Sequence, residues 1–180
     1  LDGQGRLNRV HGGATLPDST FIADEASMSD KEVRAVPEKS RIGAAAAAMI
    51  RPQDFVYIDA GSTTLQLVKN LPGEALRASY VTNGIAHARL LAQKGCRVYV
   101  PAGQIRPSTE AIVGAGAVVS LGGYNFTKAF MGANGVALAQ GFTTPDVEEA
   151  ALKAAAVRRA RETWFLLDDS KFGKVFAAVI

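Results

Sequence analysis

Cysteine is nearly absent from this sequence: Cys96 stands alone among 180 residues. A single cysteine closes no internal disulfide, and its place in or just before a predicted strand, Arg97 to Val100, points to packing rather than reactivity. Histidine is scarce too, and His11 and His87 lie too far apart to suggest a metal site or a catalytic dyad. No apolar run approaches the roughly 20 residues that a membrane-spanning helix needs, and no signal peptide opens the chain. These absences point to the cytoplasm, with no membrane partner. A strong charge is missing as well, since the net formal charge is only +3. Lysines and arginines are scattered, except for Arg158, Arg159 and Arg161, where they complement the dipole of a predicted helix end. Composition therefore does not lead to DNA. A dinucleotide fingerprint also fails, because Val119 stands where the third glycine after Gly114 and Gly116 belongs. Apart from the alanine run Ala44 to Ala48 there is no low-complexity segment, and there is no internal repeat. No cofactor, metal or catalytic set is expected.

What is present is enough for one full-sized domain, with 48% apolar and 21% charged residues, as in ordinary globular proteins. The chain is organised around Phe55 to Thr64. Phe55 to Ile58 are aromatic or β-branched, which suits a strand buried on both faces. Asp59 and Gly61 then make a tight turn, and Ser62, Thr63 and Thr64 open a helix whose Leu65, Val68 and Leu71 share a side. Strand, glycine turn and helix is the layout in which N–H groups at a helix N-terminus hold an anion. Hydroxyls add donors, and Asp59 accepts from a ligand's hydroxyls. This reads as a phosphate-and-polyol pocket; the alternative is that Ser62 merely caps the helix.

Leu1 to Pro17 reads as a glycine-rich arm with Arg6, Arg9 and His11, and Phe21 to Val36 gives no clear element. Glu38 to Ile50 is a predicted helix with Pro37 as its start signal. After the central strand and helix come a strand at Ser79 to Thr82, a helix at Ile85 to Gln93 and a strand at Arg97 to Pro101. This βαβαβ order implies an α/β fold with a parallel sheet flanked by helices. Ligands of such sheets bind beyond the carboxyl ends of the strands, where Asp59, Asn83 and Gly103 converge. Further elements are expected at Gly114 to Leu121 (helix), Phe126 to Met131 (strand), Thr144 to about Arg161 (helix), Trp164 to Leu167 (strand) and Val175 to Ile180 (a last strand, cut short). Glu149 and Lys153, spaced i,i+4, read as a helix-surface pair. Lys128 precedes its strand and reads as structural.

Several motifs occur in order: RVHGGA from Arg9, EKSRIGAAAA from Glu38, DAGSTT from Asp59 and VTN from Val81. AGQIRPSTEAIVG from Ala102, KAFMGANG from Lys128, GFTTP from Gly141 and DDSKFG from Asp168 follow. Together they resemble the effector-binding domain of the DeoR family of bacterial transcriptional repressors. The resemblance covers almost the whole chain. It implies that residues 1–20 are the wing tail and linker of an absent N-terminal winged helix-turn-helix domain, and that residues 21–180 sense a phosphorylated sugar. The implied fold is Rossmann-like, similar to ribose-5-phosphate isomerase and glucosamine-6-phosphate deaminase. Carried over by position, Asp59, Gly61, Ser62, Thr63 and Thr64 match the family's phosphate loop, and Thr82 and Asn83 its second strand end. Gly103, Arg106 and Thr109 match its GGxxRxxT segment, Gly132 and Asn134 its G-A-[DN]-G turn, Thr143 and Thr144 its GFTTP loop, and Lys171 its D-S-S-K-F-G segment. Two positions depart from the pattern. Ala102 replaces a glycine, and Asp169 replaces a serine, where a carboxylate would either tune Lys171 or repel a phosphate. Lys171 is the first candidate for a phosphate-binding cation and Arg106 the second.

Three functions fit: a sugar-phosphate sensor acting on DNA through the absent domain, an aldose–ketose isomerase, or an oligomerisation module with a vestigial pocket. The isomerases resembling this fold carry acids at the positions of Met131 and Asn134, which exchange no protons here. This favours the sensor, as does RVHGGA. Repressors of this kind imply a homo-oligomer, dimer or tetramer.

Overall fold

The computed structural model describes residues 27–180, together with the backbone of residues 8–10 and 13–15. Within the expected arm, β1 (Asn8–Val10) and β2 (Gly13–Thr15) pair as an antiparallel hairpin. The expected boundary at residue 20 lies outside the described residues. A short helix α1 (Met28–Glu32), capped by Ser27, occupies the stretch that gave no clear element. Helix α2 (Val36–Ala47) begins two residues earlier than expected and ends three earlier, with Pro37 in its first turn.

The core is a five-stranded sheet built from β3 (Phe55–Ile58), β4 (Ser79–Thr82), β5 (Arg97–Tyr99), β8 (Phe126–Met131) and β11 (Ala160–Phe165). Its order is β11-β8-β3-β4-β5, and every pairing is parallel. Helix α3 (Ser62–Lys69) links β3 to β4, and α4 (Ile85–Gln93) links β4 to β5, as the sequence leads one to expect. A hairpin of β6 (Gln104–Arg106) and β7 (Ala111–Val113) then precedes α5 (Ala115–Leu121). Beyond β8 lie β9 (Gly135–Ala137), β10 (Gly141–Thr144) and the long helix α6 (Val147–Arg159). The expected terminal strand is reduced to β12 (Ala178–Val179), which joins β10 and β9 in a small antiparallel sheet.

Two boundaries differ from expectation for one reason. Helix α6 stops at Arg159 and β11 starts at once at Ala160, so Arg161 lies in a strand, not at a helix end. Pairing along β8, with Ala160 opposite Phe126, draws this polar stretch into the sheet. The tertiary partner overrides local propensity.

Side chains alternate across the sheet as strand geometry demands. Val56, Ile58, Tyr80 and Phe130 join Leu67, Val68 and Leu91 in one apolar cluster, under α2, α3 and α4. Tyr57, Val81, Ala129 and Met131 point the other way, against Leu121 of α5 and Leu152 of α6. Helices α2 and α3 meet at Gly43, where an added Cβ would lie 2.5 Å from the carbonyl carbon of Gln66 and 2.6 Å from the amide of Leu67. Backbone cannot yield as a side chain does. Gly43→Ala is therefore expected to destabilise the protein by about 1–3 kcal/mol despite alanine's better helix propensity. Urea unfolding of the variant checks this, and an unchanged midpoint would contradict the packing argument.

Strand β3 sits between β4 and β8, so the chain runs outward one way through β4 and β5 and the other way through β8 and β11. The carboxyl ends of β3 and β8 therefore flank the point where strand order reverses, and that crevice is where open α/β sheets take ligands.

Candidate functional site

The cavity at this crevice is lined by Gly61 to Thr64 from the β3–α3 turn and by Gly132, Ala133 and Asn134 from the turn after β8. Thr109, Glu149, Lys153, Lys39, Lys31 and Lys171 complete most of its wall.

Glu149 and Lys153 are not the surface pair that their spacing suggests. Both are buried, because this face of α6 is turned onto the sheet. Lys153 pairs with the Oδ2 atom of Asp59, which also accepts the Gly132 N–H at 3.0 Å. Glu149 accepts from the Thr109 hydroxyl at 2.8 Å. Asp59 is fully buried, and its Oδ1 has no hydrogen-bond partner among the described residues. It thus ties the two sides of the crevice together from beneath the cavity rather than lining it.

At the head of α3 the alternative reading of Ser62 fails, because the N-cap is Gly61 and no side chain caps the helix. The first intrahelical bond runs from Leu65 N–H to Gly61 C=O at 2.9 Å. The N–H groups of the first turn, orphaned in any helix, thus open toward the cavity that Gly61 to Thr64 line. A Cβ on Gly61 would meet Thr64 Oγ1 at 3.4 Å, an ordinary contact, so the glycine leaves room on the cavity side rather than relieving a clash. The Thr64 hydroxyl donates to Asp59 C=O at 2.6 Å and lies 3.0 Å from His87 Nε2. His87 is 1% exposed, and burial lowers its pKa to about 4, so the imidazole is neutral. Because the single Thr64 hydroxyl proton is given to Asp59 C=O, Nε2 carries the hydrogen and donates to Thr64. Sequence reasoning passed over His87 because its partner, Thr64, lies 23 residues away on another helix.

Thr82 and Asn83 serve as scaffold. Asn83 accepts from the Ala60 N–H at 2.9 Å and the Tyr57 hydroxyl at 3.1 Å and donates to Ile112 C=O, while Thr82 accepts from the Gly84 N–H. Gly103 packs against β7, where a Cβ would come within 2.6 Å of Val113 C=O, and it does not line the cavity. Arg106 pairs with Asp146, the N-cap of α6, and is likewise outside the lining. Thr143 accepts from the Phe176 N–H and donates to Gly135 C=O, and Thr144 donates to Asn134 Oδ1 at 3.1 Å, setting the Asn134 amide toward the cavity from behind. Lys128 pairs with Asp54 before the start of β3, at the far end of the sheet, so its structural reading holds.

The cations at the cavity are therefore lysines, and three of them were not anticipated. Lys39, which is buried in α2, donates to the Lys31 carbonyl. Burial pushes its ammonium below the ordinary range, and repulsion from Lys171 adds to the effect. Lys171 is lowered by burial too, while Asp168 pulls it back up. The acid that answers Lys171 is Asp168, not the departing residue Asp169, which is exposed. Among the described residues no cluster of His, Cys, Asp and Glu could hold a metal ion, and no described helix is long and apolar enough to cross a membrane.

The family described as the DeoR C-terminal sensor domain matches residues 34–180. The chain belongs to that family. This sensor domain is 38% identical over 176 residues to the HTH-type transcriptional regulator FruR of Bacillus subtilis, covering 97% of this chain and 68% of that protein. It is 31% identical to the lactose phosphotransferase system repressor of Streptococcus mutans, over 97% of this chain and 69% of that one. Its fold is similar to ribose 5-phosphate isomerase A of Methanocaldococcus jannaschii, with a TM-score of 0.56 and 16% identity over 76% of this chain. The delta subunit of eIF2B from Chaetomium thermophilum gives the same TM-score at 15% identity over 78% of this chain. The sensor domain spans about half the length of these two structures, 54% and 50%.

Proposed function

We propose that the crevice at the ends of β3 and β8 holds a phosphorylated sugar or related metabolite. Its occupancy would control DNA binding by a helix-turn-helix domain N-terminal to this chain. The observation that carries the reading is the uncapped N-terminus of α3 opening onto a cavity lined by Lys39 and Lys171. A phosphate dianion accepts from the helix amides and from charged donors, and such bonds are about twice as strong as neutral ones. Glu149, Thr109 and Asn134 supply the donors and acceptors that polyol hydroxyls need. The regulator and repressor names of the relatives support the coupling to transcription, and a homo-oligomer in the cytoplasm fits the same reading. A thermal-shift panel of phosphosugars tests it. A ligand present at about a hundred times its Kd should add roughly 2.7 kcal/mol to stability, and a panel without any stabilising phosphosugar would overturn the proposal.

Isomerase chemistry is the second reading, because Glu149 brings a carboxylate into the cavity that sequence reasoning had placed on the surface. We favour sensing alone. Met131 is fully buried and Asn134 exchanges no proton, so the turn after β8 offers no second acid. Concentrated protein incubated with ribose 5-phosphate or hexose phosphates is expected to form no ketose above background. Turnover abolished by Glu149→Gln would establish the enzyme instead.

A further inference from the structure

A second cavity of about 230 Å³ adjoins the first and shares Lys31, Lys39, Asn134 and Lys171 with it. Arg34 and Lys174 line this second cavity but not the first. Five basic residues thus meet one carboxylate among the described lining, that of Asp168. Asp168 is itself engaged by Ser170, whose N–H and hydroxyl both donate to its Oδ1. The backbone brings these cations together at a cost. Ala35, between Arg34 and α2, adopts φ +51°, a left-handed conformation that is unfavourable for a non-glycine residue. That turn lets Arg34, before it, and Lys39, one turn into α2, border the same space.

We infer that the ligand of this sensor is phosphorylated at both ends, with one phosphate at the head of α3 and the second seated among Arg34, Lys171 and Lys174. This inference rests on the sensing reading proposed above. One phosphate at the α3 amides, with Lys39 close by, leaves Arg34 and Lys174 facing a cavity that the first phosphate does not enter. The electrostatics agree. Beyond its burial, Lys39 is repelled by Lys171, Lys31 and Arg34, and Lys171 by Lys174, Lys31 and Arg34, with Asp168 as the attractive counterweight. A second dianion replaces that mutual repulsion with charge-assisted hydrogen bonds. The sugar carbons then lie across Asn134, which borders both cavities.

Matched pairs of probes test this: ribulose 5-phosphate against ribulose 1,5-bisphosphate, and fructose 6-phosphate against fructose 1,6-bisphosphate, titrated calorimetrically into the chain. In at least one pair the bisphosphate should bind about tenfold tighter or more. Arg34→Gln and Lys174→Gln should each weaken that bisphosphate about tenfold and leave its monophosphate partner within about twofold. Thr63→Val, at the α3 seat, should weaken both members of the pair. Equal affinity within every pair, or equal loss of both members in the Arg34 and Lys174 variants, overturns the second seat and leaves the sensing reading intact. If all four sugars fail to bind, the sensing reading falls and this inference with it.

Discussion

Lys153→Met is expected to lower the stability of the sensor domain by about 3–5 kcal/mol. Lys153 is 5% exposed and Asp59 fully buried, so neither charge of the pair is screened by solvent. Methionine keeps the volume and most of the stem, and helix propensity barely changes. What it removes is the counter-charge to a carboxylate whose other oxygen, Oδ1, already lacks a hydrogen-bond partner among the described residues. An unpaired buried carboxylate must then be protonated or hydrated, and both oppose folding. The damage reaches the cavity as well. Asp59 Oδ2 holds the Gly132 N–H at 3.0 Å, joining the end of β3 to the turn after β8. The control is Asp59→Asn combined with Lys153→Met, which removes both charges and keeps an oxygen for Gly132. Replacing a buried pair is far milder than breaking it, so the double variant should recover most of the lost stability in urea unfolding. A single variant within about 1 kcal/mol of the parent, or a double variant less stable than the single, would show that the pair is not the determinant of stability described here.

The same pair marks where the sequence stops being legible. The strands and helices from Phe55 to Tyr99 follow from apolar runs and glycine punctuation, and α4 lies where its periodicity places it, Ile85 to Gln93. These signals are local. Glu149 and Lys153 carry a local signal too, and it misleads: i,i+4 opposite charges are what a solvated helix face shows. The face of α6 that turns inward is set by the sheet beneath it, which sequence spacing does not encode. Lys39 is hidden for a related reason. It sits beside Glu38 in a helix whose alanines mark the buried side weakly, and it is drawn in because Gly43 lets α2 settle against α3. Arg106 shows the opposite case, a candidate that does not line the cavity. It lies in a segment that matches a family motif, but Asp146, forty residues on, takes its guanidinium away from the cavity. Thr82 and Asn83 were placed at the right strand end, yet their polar atoms are occupied in holding the loops. A sequence can locate the rim of such a pocket. Assigning which rim groups face inward needs the partners that occupy the others.

His87 gives the largest expected dependence on pH. Its pKa lies at about 4 in the folded protein, because burial penalises the imidazolium and the charges of Lys153 and Lys69 add to that penalty, against one favourable hydrogen bond to Gly61. In the unfolded chain it returns to about 6.5. Between those values the unfolded state binds more protons, so stability rises with pH across this window and is flat above it. The shift is worth about 3 kcal/mol, fully present above pH 7 and lost by pH 4. Protonation also disturbs the β3–α3 turn directly. The imidazole donates from Nε2 to Thr64, and Nδ1 lies so close to Gly84 that a Cβ there would overlap it, leaving little space for a new acceptor. His87→Gln keeps an N–H donor for Thr64 but does not titrate. Its stability at pH 7 should be lower than the parent's, from a poorer fit, while its slope between pH 6.5 and 4.5 should be nearly flat. The carboxylates of Asp54, Asp146 and Asp168 titrate below this window, each held under the ordinary carboxylate range by its hydrogen bonds. Urea unfolding of both proteins at half-unit steps from pH 4.5 to 7.5 separates the contributions. Parallel curves for the two proteins would mean that His87 is charged or solvated in the native state, and the neutral imidazole that braces Thr64 would have to be abandoned.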